Sequence, residues 1–293
     1  MLEYFQLFGA TAGTAAVSVV CALYNRRTGD KKNATAVYNM LIGIAVFLGW
    51  LVLFLTDFSF DVGVFPYVAL FATCYLTCTV GLINALKTGS VLITSLLCQL
   101  SLIAVSIWGF FFWGEPFTPL VAIGLALVCI AIFLCLYTGK AENSEKKVKF
   151  SWKWLVFVCM AFFGNAGCTV SQREQQMAFG YQHGNMLMAF ATLFATLGFT
   201  VMWLRTDKKD TVAIMKTSGY MPVISGIVNV FSNLLVIILA SSTLSASLVF
   251  PTIAIGALAL TTLFSVFAFK ERLYFWQWLG IVFGAVAILL LSI

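Results

Sequence analysis

In the stretch SGIVNVFSNLL (225–235), Asn229 and Asn233 stand four residues apart, with Ser225 and Ser232 beside them. That spacing is about one helical turn, so on a helix both amides project from one side. Each amide carries two donors and an acceptor oxygen, and no proton that titrates near neutrality. Such a pair can hold a polar solute by hydrogen bonds, but it cannot serve as a nucleophile or a general base. The same kind of stripe recurs along the chain. Thr11, Thr14, Ser18, Cys21 and Asn25 follow at alternating intervals of three and four, and Thr77, Gly81, Asn84 and Thr88 repeat the pattern with Tyr75 close by. Ser95, Gln99 and Ser106 form a third set, and Asn165, Thr169, Gln172 and Gln176 a fourth.

Chemistry beyond hydrogen bonding finds few candidates. His183 is the single histidine, beside Gly180 and Gly184 near a helix start. The eight cysteines show no metal-ligand spacing and read as small packing residues. No metal, no cofactor and no enzymatic activity is therefore expected. No acidic residue lies at the middle of an apolar stretch, and no Lys or Arg does either. A carboxylate that alternates between a proton and a cationic drug is missing, as is a central cation for a phosphate. The remaining amides, hydroxyls, sulfur and rings suit a small neutral or zwitterionic solute, such as an amino acid or related metabolite. Tyr75, Gln99, Asn165, Thr169, Asn229, Asn233, Thr14 and Ser18 are the candidate contacts. Hydroxyls and glycines at these spacings also fit plain helix packing, with each hydroxyl bonded to its own backbone. The neighbours Arg173 and Glu174 close a stretch, where two roles are open: snorkelling to lipid headgroups, or a gate or coupling function.

The elements that must position these groups follow from composition. With 61% hydrophobic and 10% charged residues, the chain belongs in a lipid bilayer. Predominantly apolar stretches of roughly the 20 residues that cross a bilayer recur ten times: 4–24, 35–55, 64–86, 89–112, 117–138, 153–175, 183–204, 219–240, 244–268 and 274–292. The expected fold is an all-α integral membrane protein of ten transmembrane helices. The first stretch lacks a basic leader and is expected to persist in the mature protein. Numbering the loops in order, 16 of the 17 Lys and Arg fall in odd loops, and Arg173 is the exception. Basic short loops stay cytoplasmic, so both termini are expected outside and the net charge of +6 is a topology signal rather than a nucleic-acid footprint. The sequon Asn33-Ala34-Thr35 then falls on the cytoplasmic side and reads as chance.

Two hairpins match across the chain. WGEPFTPLVAIG (113–124) and FKERLYFWQWLG (269–280) each place a Glu, Glu115 and then Glu271, nine residues before a glycine that opens an apolar helix. Residues 1–138 and 152–293 thus read as two five-span repeats joined by a charged linker, 139–151. Five is odd, so the second repeat enters the membrane inverted. The turn carboxylates are expected to cap the helices that follow them. Spans 5 and 10, nearly devoid of polar side chains, belong at the periphery, with Gly280 and Gly284 as a close-packing motif and a monomer or a homodimer through span 10 as the alternatives.

These features resemble the drug/metabolite transporter superfamily, in its EamA-like branch. The resemblance rests on Gly114-Glu115-Pro116, Lys270-Glu271-Arg272, Gly124 and Gly280 within the ten-span, two-repeat layout. It implies a secondary transporter that moves a small metabolite across the cell membrane by alternating access. A flippase for a lipid-linked carrier and an exporter of drug-like compounds are the alternatives within the same superfamily. Members of that superfamily usually keep both termini in the cytoplasm, whereas the charges here place them outside.

Overall fold

The computed structural model describes residues 2–29, 31, 33–88, 91–136, 152–240, 242–269 and 275–291, apart from the side chains of 86–88, 91–99, 102, 135–136, 240, 265–266 and 268–269. The linker 139–151 and the turn holding Glu271 lie outside the described residues, as does the side chain of Gln99. In hydrocarbon a backbone must satisfy its own polar groups, so apolar stretches resolve into helices. The helices are α1 (Leu2–Thr28), α2 (Ala34–Thr56), α3 (Phe65–Thr88), α4 (Val91–Phe112), α5 (Pro119–Leu136), α6 (Trp152–Ala178), α7 (Gly184–Leu204), α8 (Thr211–Ser218), α9 (Tyr220–Ala240), α10 (Ala246–Phe269) and α11 (Phe275–Leu291).

Among the described residues, α1, α2, α3, α6, α7, α9 and α10 make seven helices long and apolar enough to cross a membrane. Shorter apolar segments, Ile103–Phe112, Pro119–Leu134 and Phe275–Leu291, come from α4, α5 and α11. The chain is thus a helical, multi-pass membrane protein. Short α8 falls in a segment read from sequence as loop. Its Thr211, Ile214 and Ser218 are buried at helical spacing, with Ile214 fully covered in the cluster around Trp50 and Tyr24. Asn33 is buried too, and its amide donates to Thr211 Oγ1 at 2.8 Å, so the sequon nitrogen is occupied by a contact within the chain.

Several of the packed helix pairs recur when the first and second parts of the chain are exchanged. Pairing α1 with α6, α2 with α7, α3 with α9, α4 with α10 and α5 with α11 carries α3–α6 onto α9–α1, α4–α6 onto α10–α1, and α3–α7 onto α9–α2, all of them packed pairs. Pairs α2–α7, α5–α11 and α4–α10 map onto themselves. Directions follow the same rule. Gly81 faces Ala161 while Gly167 faces Cys74, so α3 and α6 are antiparallel; Gly9 faces Leu235 and Gly13 faces Ser232, so α1 and α9 are antiparallel as well. Gly43 faces Phe199 while the Asn185 amide reaches the Leu53 carbonyl, which makes α2–α7 antiparallel, and Gly124–Leu291 with Gly284–Ala131 does the same for α5–α11.

Two of these seams differ in texture. Between α3 and α6 the backbones nearly touch: a Cβ on Gly164 would lie 2.6 Å from the Cys78 nitrogen, and one on Gly81 2.7 Å from the Phe157 oxygen. Only glycine permits that approach. Between α5 and α11, Leu291 seats its side chain over Gly124, and Gly284 receives Ile255 of α10. Gly280 and Gly284 are both buried, so the small-residue face of α11 is taken up within the chain.

Candidate functional site

On α9 the outward face is marked by Ile227, 61% exposed, and Phe231, 56% exposed. At about 100° per residue, Asn229 and Asn233 sit roughly 140–180° from the centre of that face. Both are half-buried, so the surface they keep is on the side of the helix turned towards the bundle. Gly226 against Ala45 of α2, and Gly13 of α1 against Ser232, flank them. The amides point into the interior between two helices. Asn233 Nδ2 donates to the carbonyl of Asn229 at 3.0 Å and to its Oδ1 at 3.2 Å, so the pair is preorganised.

The other expected contacts do not assemble with them into one hydrogen-bonded cluster. Asn165 on α6 donates to Ser101 of α4 at 2.6 Å. Thr14, Ser18 and Thr169 return their hydroxyl protons to carbonyls one turn back, at Ala10, Thr14 and Asn165. Tyr75 is wedged among rings, 6.2 Å from Phe71 and 5.6 Å from Phe199 between centroids. Two members of the α9 stripe leave it for packing seams. Ser225 accepts from Tyr38 of α2 at 3.0 Å, and Ser232 fills the space opposite Gly13 of α1. Along α1 the stripe changes character with depth: Thr11 is buried, Thr14 half-buried, and Ser18 and Asn25 exposed.

The end of the bundle where α6 finishes is tied shut by charge. Arg173 Nη2 donates to Glu115 Oε1 at 3.0 Å, with the two side chains only 14% and 8% exposed. The guanidinium lies over the Trp113 ring, 4.7 Å from its centroid. Glu115 also accepts from the N–H groups of Ala246, at 2.8 Å, and Ser247, at 3.1 Å. Those are the first two residues of α10, whose unsatisfied amides and positive dipole end suit an anion. Glu174 takes the indole protons of Trp113, at 2.8 Å, and Trp108, at 3.3 Å. Nearby, Glu3 at the start of α1 accepts from the N–H and hydroxyl of Thr243 in the α9–α10 turn. Residues of the first half (Glu3, Trp108, Trp113, Glu115) thereby hold residues of the second (Arg173, Glu174, Thr243, Ala246, Ser247).

Two expectations change here. Arg173 and Glu174 do not reach outward to headgroups, because a buried carboxylate and two indoles capture them first. Glu115 caps a helix, but one that begins 131 residues later and not the α5 that follows it: Gly114, at φ +67°, turns the chain so that the carboxylate faces α10. Pairing over such distances leaves no local signature. One sequence signal did point to it, since Arg173 is the sole exception to the segregation of basic residues.

Beneath the tie lies a small cavity of about 10 Å³, the space of a single water. Thr169, Gln172 and Arg173 line one side, with Val236 of α9 and Val249 and Phe250 of α10 opposite. Pro251 follows at once, one turn inside α10, and cannot donate to the Ser247 carbonyl. The first turn of α10 is therefore weakly joined to the rest of its helix. Among the described residues no group of His, Cys, Asp and Glu is arranged to hold a metal.

No family model matches this sequence, and no curated protein matches it. Twenty-nine chains of solved structures match its fold. One, described only as the crystal structure of a protein, covers 96% of this chain and 95% of its own length at a TM-score of 0.71 and 14% sequence identity. At that identity the likeness shows the fold alone.

Proposed function

We propose that this chain is a secondary transporter of the drug/metabolite transporter type, with ten spans in two inverted five-helix repeats, moving a small neutral or zwitterionic metabolite across the cell membrane by alternating access. The observation that carries the reading is the exchange of helix pairs between halves. The self-paired contacts α2–α7 and α5–α11 are antiparallel. An axis along the membrane normal would make them parallel, so the relating axis runs across the helices, as inversion of one repeat requires. Such a protein can interconvert two shapes by letting its halves trade conformations.

Within that reading the Glu115–Arg173 tie is the outer gate and Pro251 its hinge. Asn229 and Asn233 supply hydrogen-bonding groups on the interior side of α9. A flippase for a lipid-linked carrier would draw on the groove of about 330 Å³ on α6, lined by Trp152, Leu155, Val156, Cys159, Met160 and Phe163. That lining is apolar throughout and offers a polar headgroup no partner, so the solute reading is preferred. Reconstitution tests the choice: radiolabelled solutes, amino acids first, are offered to proteoliposomes beside an assay of lipid-linked substrate scrambling. Uptake without scrambling is expected. Scrambling with no uptake of any small solute would overturn the proposal.

A further inference from the structure

Every described Lys and Arg other than Arg173 is exposed. The buried guanidinium is nonetheless incompletely partnered: Nη2 meets Glu115, while Nε is buried with no hydrogen-bond partner among the described residues. The adjoining Gln172, 6% exposed, likewise has a buried Nε2 without an acceptor. Both residues line the cavity beneath the gate, with Thr169 one turn below. Buried donors left unmade are costly, above all on a cation, and are kept where an external acceptor completes them. A guanidinium edge beside an amide N–H matches the two oxygens of a carboxylate.

Charge balance narrows the ligand. Arg173 and Glu115 neutralise one another, so any solute that enters between them must satisfy both. A simple carboxylate would take Arg173 and leave Glu115 with only its two α10 amides; a simple cation would leave Arg173 without its counter-ion; a zwitterion offers each a charged partner. We infer that Gln172 and Arg173 form the binding site for the carboxylate of a transported α-amino acid, whose ammonium group takes the Glu115 carboxylate that the guanidinium gives up. Glu115 is then the chain's own stand-in for substrate, and solute binding and gate release are one exchange of ion pairs. The inference rests on the transporter reading and adds to it a site. The cavity is the collapsed form of that site, and it widens as the first turn of α10 swings about Pro251.

The test uses the full chain in detergent and in proteoliposomes. Each of the common L-amino acids is compared, by thermal melting and by uptake, with its amide and its N-acetyl derivative. At least one amino acid is expected to bind, and both of its derivatives to bind at least about tenfold more weakly, as loss of a charge-assisted contact demands. Gln172→Leu, which leaves the Glu115–Arg173 contact in place, is expected to weaken that amino acid about tenfold while the unliganded protein melts no lower than the unsubstituted chain, since a costly unpaired donor has been removed. Equal binding of acid, amide and N-acetyl forms, or full affinity in a well-folded Gln172→Leu protein, would overturn the site and leave the transporter standing. Uptake of solutes of another class with no amino acid bound would do the same. A protein that moves no small solute at all would overturn both.

Discussion

Arg173 and Glu115 lie 58 residues apart in sequence and 3.0 Å apart in the folded chain, and the carboxylate that receives the guanidinium also receives the first two amides of α10. One side chain therefore joins the α4–α5 turn, α6 and α10. Removing one partner of a buried pair leaves an uncompensated charge, which costs about 3–5 kcal/mol. Arg173→Gln should fall at the lower end, near 3 kcal/mol, since Glu115 keeps its two backbone donors. Adding Glu115→Gln should restore more than about 1 kcal/mol, because the two groups act as a unit. Denaturant or thermal unfolding of the two single variants and the double variant measures this, and strict additivity would refute the coupling.

The same contact predicts accessibility. A cysteine placed at Thr169 in a cysteine-free protein should be slow to react with a bulky impermeant thiol reagent from the gate side, and at least about tenfold faster when Arg173→Gln is added, the ratio that corresponds to about 1.4 kcal/mol of gate energy. Unchanged labelling would show that the tie does not control entry.

Asn229→Ala and Asn233→Ala should each weaken transport by on the order of tenfold, since one hydrogen bond to a polar ligand contributes about 1–1.5 kcal/mol. Asn233 donates to Asn229 Oδ1, so the double variant should lose less than the product of the two singles. Surface expression should hold in all three, because removing an amide makes α9 more apolar. Leu289→Ala on the outward face of α11 is the control, and an equal loss there would reassign the amides to packing.

How α8 is held can be measured directly. Ile214 is fully buried while its neighbour Met215 is 37% exposed. Ile214→Ala should cost about 2–5 kcal/mol of local or global stability and speed tryptic cleavage at Lys216, whereas Met215→Ala should do neither. Equal cleavage of both variants would show α8 to be undocked.

From the segregation of basic residues, the linker around Glu145 is expected in the cytoplasm and both termini outside. A cysteine introduced at Ser144 of a cysteine-free variant should resist an impermeant thiol reagent in intact cells and react once the membrane is opened. Ready labelling in intact cells would reverse the orientation.

Helices were legible in the sequence because hydrocarbon leaves a backbone little alternative, and the spacing of Asn229 and Asn233 placed them on one side of α9. Spacing could not say what that side meets. A stripe spans about 100° of helix, wide enough for Ser225 to turn to Tyr38 and Ser232 to Gly13 while the two amides between them face inward. Helix α8 escaped notice because eight residues with exposed lysines around them look like loop, although Asp210-Thr211 followed by Ile214 and Ser218 has the spacing of a short docked helix. The Glu115–Arg173 tie was hidden for a different reason: its partners come from opposite halves, and only the misplaced charge of Arg173 betrayed that something must neutralise it.

Glycine 81 and Gly164 give the two halves a bearing. Side chains that interlock across a helix pair act as cog teeth, and shifting such a pair by one notch means re-sorting rotamers on both sides. Where backbone lies against backbone, as along α3 and α6, there are few teeth to clear and little rotamer entropy to lose. Leu291 over Gly124 and Ile255 over Gly284 are seated teeth, so α5 and α11 serve as the fixed frame. Friction in this molecule is thus unevenly distributed: the smooth track runs along α3 and α6 and the geared one along α5 and α11, so in the proposed transporter any rocking of the halves would be easiest along the first seam and hardest along the second.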